Sequence, residues 1–345
     1  MKKSTKVLTV IFIVAAIALY VAIYGVPGMQ HMLEETTVLE YGDLPVLDEV
    51  TVCMIRNETL YVAAEAGTIE YHIDEGTKVR SGMSMLGITG GAPPQPASSE
   101  SSADGAVDEE KAAIERVLSA AGASAEAVPN NISPITAVVS YFADGYEKVL
   151  SPAALETLTK AEVDAIPAES LPLTRTYTEK GWPIYKLTDN NLWYMVYWMN
   201  RDTFDASRYA EGESVKVELN STEINAVIQS FTAQGSDVKV VLRSDMYYSD
   251  MPKYRKMDAK VIFAEYQGLI VDEKDVVTRD GMPGVFVKQR NGSFKWAPIQ
   301  YTKGASAGGK HIVSVGTFTD DAGELVRTVN YYDEILINPA AEGYS

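Results

Sequence analysis

Three histidines, one cysteine and a surplus of carboxylates are the residues of this 345-residue chain with the most chemical potential. A metal centre would need His, Cys, Asp or Glu at short ligand spacings. His31, His72 and His311 are far apart, with no His-x-x-x-His pattern, and His72 falls in a run read as strand, in a solvent-facing or satisfied core role. Cys53 has no second cysteine to pair with. It sits in the apolar run 50–55 with no neighbour to stabilise a thiolate, so it reads as a small buried hydrophobe. Paired carboxylates such as Asp74 and Glu75, or Asp272 and Glu273, could serve acid–base chemistry only at a defined separation across a cleft. With 47 acidic against 30 basic residues, such neighbours arise by chance. There is no Gly-x-Ser-x-Gly elbow and no P-loop. The glycine-rich stretch 87–91 lacks a following lysine-bearing helix start and reads as a loop exit. Trp193, Tyr194, Tyr197 and Trp198 could stack on a ligand such as a glycan. Strand alternation divides them between two faces, with Trp193 and Tyr197 together, and core packing is the better reading. The sequence thus names no catalytic, cofactor-binding or metal-binding residue, and the chain reads as a non-enzyme.

The elements around these residues are more informative. A net charge of −17 argues against nucleic acid as a partner, because phosphate backbones would be repelled. A hydrophobic content of 46% is that of a folded protein with room for two or three domains. Lys2, Lys3 and Lys6 precede an uncharged apolar run at 7–24, which as a helix spans about 27 Å, enough to cross a bilayer. Tyr20 and Tyr24 suit the far interface, and the lysines keep the N-terminus cytoplasmic. A cleaved signal peptide would have a shorter apolar region and a small-x-small site. The expectation is therefore a cytoplasmic tail at 1–6, a transmembrane helix at 7–25, a stem at 26–49 and an extracytoplasmic body anchored in the cell membrane. From residue 50 short strands alternate with glycine-bearing turns. Residues 90–104 are of low complexity, a short helix is predicted at 108–121, and 122–131 reads as loose chain. A helical stretch opens at Ser151 and Pro152 and runs to about Ile166, and beyond Gly181 strands follow one another to the end.

One stretch carries a family pattern. In 61–88, small residues lead into Gly67, a strand, Glu75 and Gly76, then Val79, Gly82 and a second strand. The returning segment 132–147 repeats the theme, with Ala137 and then Asp144 and Gly145. Gly67 would let the chain turn, Gly76 and Gly82 would take positive-φ turn positions, and Val79 would pack inward. The pattern resembles the split biotinyl/lipoyl-like hammerhead of HlyD-type membrane-fusion proteins, the adaptor subunits of efflux and secretion systems. Residues 181–196 and 211–218 resemble that family's β-barrel domain, and 281–299 its membrane-proximal domain. Three departures stand out. The insertion is too short for a coiled-coil hairpin, the lipoyl-type lysine is absent, and Val271, Asp272, Glu273 and Lys274 replace a usual proline.

The resemblance implies a mainly β chain. Its expected parts are a split lipoyl-like domain at 50–90 and 132–180, a flexible insertion with a short helix at 91–131, a β-barrel domain at 181–265 and a membrane-proximal β domain at 266–345. Gly67, Gly76, Gly82 and Gly145 would be structural turn glycines, and no cofactor is implied. The function implied is a non-enzymatic, membrane-anchored adaptor docking on a transporter or other envelope complex, with homo-oligomerisation left open. The alternatives are an envelope protein that keeps the fold without transport, favoured by the short insertion, and, more weakly, a wall-polymer hydrolase.

Overall fold

The computed structural model describes residues 9, 11–17, 20, 34–91, 103–121, 125–127, 131–166, 170–341, 343 and 344. The chain divides into two compact units, one of residues 48–263 and one of residues 1–47 with 264–345.

The larger unit contains a six-stranded antiparallel barrel. Its strands are β1 (Tyr41–Ile55, of which 48–55 belong here), β2 (Trp193–Asn200), β3 (Ser214–Leu219), β4 (Thr222–Gln234), β5 (Asp237–Ser244) and β6 (Lys256–Asp272, of which 256–263 belong here). The hydrogen-bonded order is β3-β4-β5-β2-β1-β6, and β6 pairs back to β3 from Lys216 with Ile262 to Leu219 with Ala259, closing the ring. Period-two alternation sets what lies inside. Val215, Val217 and Leu219 of β3, and Trp193, Met195 and Tyr197 of β2, point into a filled interior with Val52, Met54, Ile224, Val240, Leu242 and Val261. The aromatic run is therefore split between core and outer face, and the indole of buried Trp193 donates to the Met246 carbonyl at 2.9 Å.

Outside the barrel, Cys53, Ile55, Val196 and Val241 pack against Leu150, Leu158, Val163 and Ile166. Leu158, Val163 and Ile166 come from the stretch expected to be one helix, which Leu150 directly precedes. That stretch is instead a 3-10 turn, Pro152–Ala154, followed by a short α-helix, Lys160–Asp164 (α2). The break has a local cause. Thr159 and Glu162 form a capping box that starts the helix afresh. Lys239, buried against this stretch, donates to the carbonyls of Leu155 and Leu158, the latter at 2.8 Å.

Within the same unit, two small sheets face each other around Leu60, Ile69, Val79, Leu86, Val139, Leu173 and Tyr185. One orders Lys78–Val79, Ala137–Ser140, Pro183–Thr188, Glu58–Val62 and Ala125–Ala127, and the other Tyr177–Thr178, Gly67–Tyr71 and Leu86–Thr89. Chain on either side of the insertion meets here, with Lys78 opposite Val138 and Val79 opposite Ala137. The insertion contributes helix α1, Ala103–Ala121, which begins earlier than the predicted 108 and buries Ile114 and Val117. The segment read as loose includes the strand Ala125–Ala127, parallel to Glu58–Val62.

In the smaller unit, Thr36–Val38 pairs with Glu334–Leu336. Met282–Lys288 lies between Val277–Arg279 and Phe294–Pro298, and Leu269 to Asp272 of β6 pair with Lys310–Val313. The core holds Leu39, Leu269, Val271, Val285, Ile299, Val313 and Ile335. Part of the expected stem is thus strand. Leu44 and Val46 are buried while Pro45 between them is exposed, an alternation that the proline disguised in the sequence. Most of the expected transmembrane helix lies outside the described residues. Residues 9, 11–17 and 20 are helical, with Ile11, Phe12, Ile13, Val14 and Ile17 exposed. Among the described residues no helix is long and apolar enough to cross a membrane.

Candidate functional site

Six ionisable side chains, each at most 7% exposed, meet in the larger unit. Arg56 follows β1, Glu58 opens the next strand, Lys186 lies mid-strand in Pro183–Thr188, Arg255 precedes β6, and Asp144 and Glu147 sit on the turn after Phe142–Ala143. The ladder places Thr188 opposite Glu58, which brings Lys186 alongside. Glu58 is the hub. Its Oε1 accepts from Arg56 Nε at 2.8 Å and lies 2.7 Å from Lys186 Nζ, and its Oε2 accepts from Arg255 Nη2 at 2.5 Å. Arg255 also grips Asp144 through Nε at 2.7 Å and Nη2 at 3.1 Å, and Lys186 lies 3.8 Å from Glu147. The remaining guanidinium donors reach backbone carbonyls. Arg56 donates to Tyr254 and Pro252 at 2.9 and 3.0 Å, and Arg255 to Met54 at 3.1 Å.

Three cations face three carboxylates, but the carboxylates are not equivalent. Burial by itself would raise Glu58, yet Arg255, Arg56 and Lys186 together outweigh it and hold its carboxyl well below the usual range. Asp144 is lowered in the same way, with Arg255 and then Lys186 overcoming burial. Glu147 goes the other way. Burial raises it, Lys186 offsets only part of that, and the negative charges of Asp144 and Glu58 raise it further. Its Oε1 accepts from the Asp144 backbone N–H at 2.9 Å, while Oε2 has no hydrogen-bond partner. With its donors turned inward onto carboxylates and carbonyls, this centre acts as a joint. It ties the paired sheets and the 144–147 turn to the barrel strands.

The glycines singled out in the sequence are dispersed. Gly76 (φ +73°), Gly82 (φ +88°) and Gly145 (φ +81°) have left-handed backbone. Gly76 is also pressed against the barrel. A Cβ there would lie 2.7 Å from the Ser249 carbonyl oxygen, and Tyr247 donates its hydroxyl to the Gly76 carbonyl at 2.5 Å. Gly67 has no positive φ. It is required by space, because a Cβ would collide with the Thr89 carbonyl oxygen across the strand pair, which corrects the expectation of a turn. His72 is exposed and bonded through Nδ1 to Ser84 Oγ at 2.8 Å, His311 pairs through Nδ1 with Ser306 Oγ at 2.7 Å, and His31 lies outside the described residues. Cys53 is buried, and burial pushes its thiol up to about 11. Among the described residues no group of three or more His, Cys, Asp or Glu is arranged to hold a metal ion.

Sequence reasoning missed the charge centre because its members span positions 56 to 255. One signal was present. Lys186 interrupts a strand, Pro183–Thr188, that is buried along its whole length, and a lysine there needs an anionic partner.

Comparison with known proteins adds one assignment. Residues 193–265 match the family model described as the RND-related β-barrel domain. Among solved structures, MacA from Actinobacillus actinomycetemcomitans is 12% identical over 88% of this chain and 99% of its own, with a TM-score of 0.35. ZneB from Cupriavidus metallidurans is 12% identical over 88% and 92%, with a TM-score of 0.27. The membrane fusion protein Spr0693 from Streptococcus pneumoniae R6 is 14% identical over 62% and 98%, with a TM-score of 0.25. At these scores the structural likenesses carry no argument of their own. No curated protein matches the chain. The weight rests on the barrel, where the resemblance read from the sequence is borne out: residues 193–265, which supply five of its six strands, match the RND-related β-barrel domain.

Proposed function

We propose that the chain is a non-enzymatic adaptor of the cell envelope, resembling HlyD-type efflux and secretion subunits, that docks on a membrane transporter or another envelope complex. The observation that carries this reading is the RND-related barrel, closed and filled by its own side chains, so that its usable surface is its exterior. In this reading the paired sheets of the larger unit are the split lipoyl-like domain, with Gly67, Gly76, Gly82 and Gly145 as its structural glycines. The smaller unit is the membrane-proximal domain, and the apolar N-terminal segment is a single-pass anchor with its N-terminus cytoplasmic. The exposed apolar side chains of 11–17 fit a lipid-facing helix.

A second reading keeps the fold but not the transport role. Helix α1 has 19 residues and spans about 28 Å, and it turns Ile114 and Val117 into the core rather than projecting a long hairpin. Crosslinking and affinity purification of the full chain from its native membrane separates the two. Recovery of a permease supports the adaptor. Its consistent absence, with export unimpaired in a deletion strain, would refute docking on a transporter and leave the structural role.

A further inference from the structure

The barrel is unevenly sealed. Strand β2 pairs with β5 along its whole length, but with β1 only from Tyr194 opposite Ile55 to Val196 opposite Cys53. Beyond that point the strands run on, 197–200 on one side and 52–49 on the other, with no ladder between them. The direction of the backbone groups follows from the alternation of an antiparallel strand. Met54 N–H donates to the Arg255 carbonyl at 2.8 Å, towards β6, so Cys53 and Thr51 direct their backbone groups towards β2. On β2, Val196 and Trp198 direct theirs towards β1. The N–H and C=O groups of Thr51 and Trp198 therefore face each other across an unfilled space.

That space is a groove of about 470 Å³, lined on its strand walls by Thr51, Val52, Trp198 and Met199 and roofed by Lys160 and Val163 of α2. Two unpaired strand edges facing each other offer the hydrogen bonds that an added strand would use, and a single extended segment could satisfy both. The charge at the rim is selective. Lys160 is held by Asp164 at 2.6 Å, and Lys256 donates to the Ile166 carbonyl at 2.9 Å. Glu49, exposed at the groove, takes part in no ion pair among the described residues, and the whole chain is strongly acidic. We propose that this groove accepts, by strand addition, an extended segment of another protein that is uncharged and β-branched where it lies in the groove and carries a basic residue beside Glu49.

Amide exchange on the full chain in detergent tests this at single-residue resolution, with acetyl-Lys-Val-Thr-Val-amide as the probe and its Glu-for-Lys analogue as the control. In the free chain, Thr51 and Trp198 should exchange at least about tenfold faster than Val52 and Met199, whose amides belong to closed ladders. The lysine probe should slow Thr51 and Trp198 selectively, and the glutamate analogue should do so less. Thr51→Pro removes one groove-facing N–H, together with the Thr51 hydroxyl's bond to Asp258 of β6 at 2.8 Å, and should abolish the protection at Trp198, whereas Thr51→Ala, which loses only the hydroxyl, should keep it. Should Thr51→Pro fail to fold, Thr203→Trp, at an exposed groove residue, blocks the space instead. The proposal is overturned if Thr51 and Trp198 are already protected in the free chain, if the lysine probe protects neither at millimolar concentration, if both peptides protect equally, or if the blocking variant binds as well as the native chain.

Discussion

Replacing Glu58 by glutamine removes the negative charge shared by Arg56, Lys186 and Arg255 while keeping the side chain's size. The substituted amide could still accept hydrogen bonds, but Arg56 and Lys186 would lose their closest carboxylate and Arg255 would keep only Asp144. Breaking a buried ion cluster from one side costs about 3–5 kcal/mol, because the remaining charges stay desolvated. For a unit of this size each kcal/mol moves the midpoint by about 2–4 °C, so a loss of roughly 6–20 °C is expected by calorimetry of the full chain. The reasoning also fixes the double variant. Arg255→Met alone takes Asp144's cation away and leaves Glu58 with Arg56 and Lys186, but combined with Glu58→Gln it removes charges of both signs. The pair should be less destabilised than the sum of the singles by about 1–3 kcal/mol. Strict additivity, or a Glu58→Gln loss below about 0.5 kcal/mol as for an ordinary surface change, would refute the description of this centre as a joint.

Acid should loosen the same joint. Glu58 and Asp144 have lowered folded values, so their contribution is present above their ordinary values of 4.5 and 3.8 and is lost as pH falls through the folded ones. Glu147, raised on folding, contributes in the opposite sense, with stability present below 4.5 and lost as pH rises through its folded value. Urea midpoints measured across pH should therefore fall on the acid side, less steeply in Glu58→Gln, and Glu147→Gln should flatten the loss above pH 4.5. Gly76→Ala, which adds a contact with the Ser249 carbonyl to a left-handed backbone, should cost more than Gly82→Ala, where the added methyl meets open space and only the conformational cost of about 1–2 kcal/mol remains. Equal midpoints for the two variants would show that the turn at Gly76 is not packed on the barrel. Cys53 should resist a thiol reagent in the native chain at about pH 8 and react on unfolding, and rapid native labelling would contradict its burial.

The sequence was most legible where one face of a strand is wet. The segment 211–218, which resembles the family's barrel, contains most of the cleanly alternating strand Ser214–Leu219, and Trp193 and Tyr197, expected on one face, are both in the core. It was least legible where alternation is masked or partners are remote. The strand Lys256–Asp272 is hard to see as one element because its middle, Glu265, Tyr266 and Gln267, is not fully buried. Pro45 hid the strand that it interrupts. The single helix expected after Pro152 ignored the signal of Thr159 and Glu162, which restarts the chain as a capped turn. The charge centre was the largest omission. In so acidic a chain a carboxylate reads as solvated surface, and only the long-range pairing of Glu58–Val62 with Pro183–Thr188 shows that these are interior.

The pairing of Thr36–Val38 with Glu334–Leu336 has a consequence for how the chain is made. Residues 34–47 leave the ribosome well before the rest of their unit, yet the strand that completes their sheet is synthesised about 300 residues later. The larger unit, encoded entirely between them, can fold while translation proceeds. Leu39 must wait for Leu269, Val285 and Ile335 before it has a core to enter. At about 5–20 residues per second, roughly 15–60 seconds separate the two halves of this sheet. During that interval an open strand edge is exposed beside the emerging chain, and keeping it from mispairing is a task for the cell rather than for the finished fold.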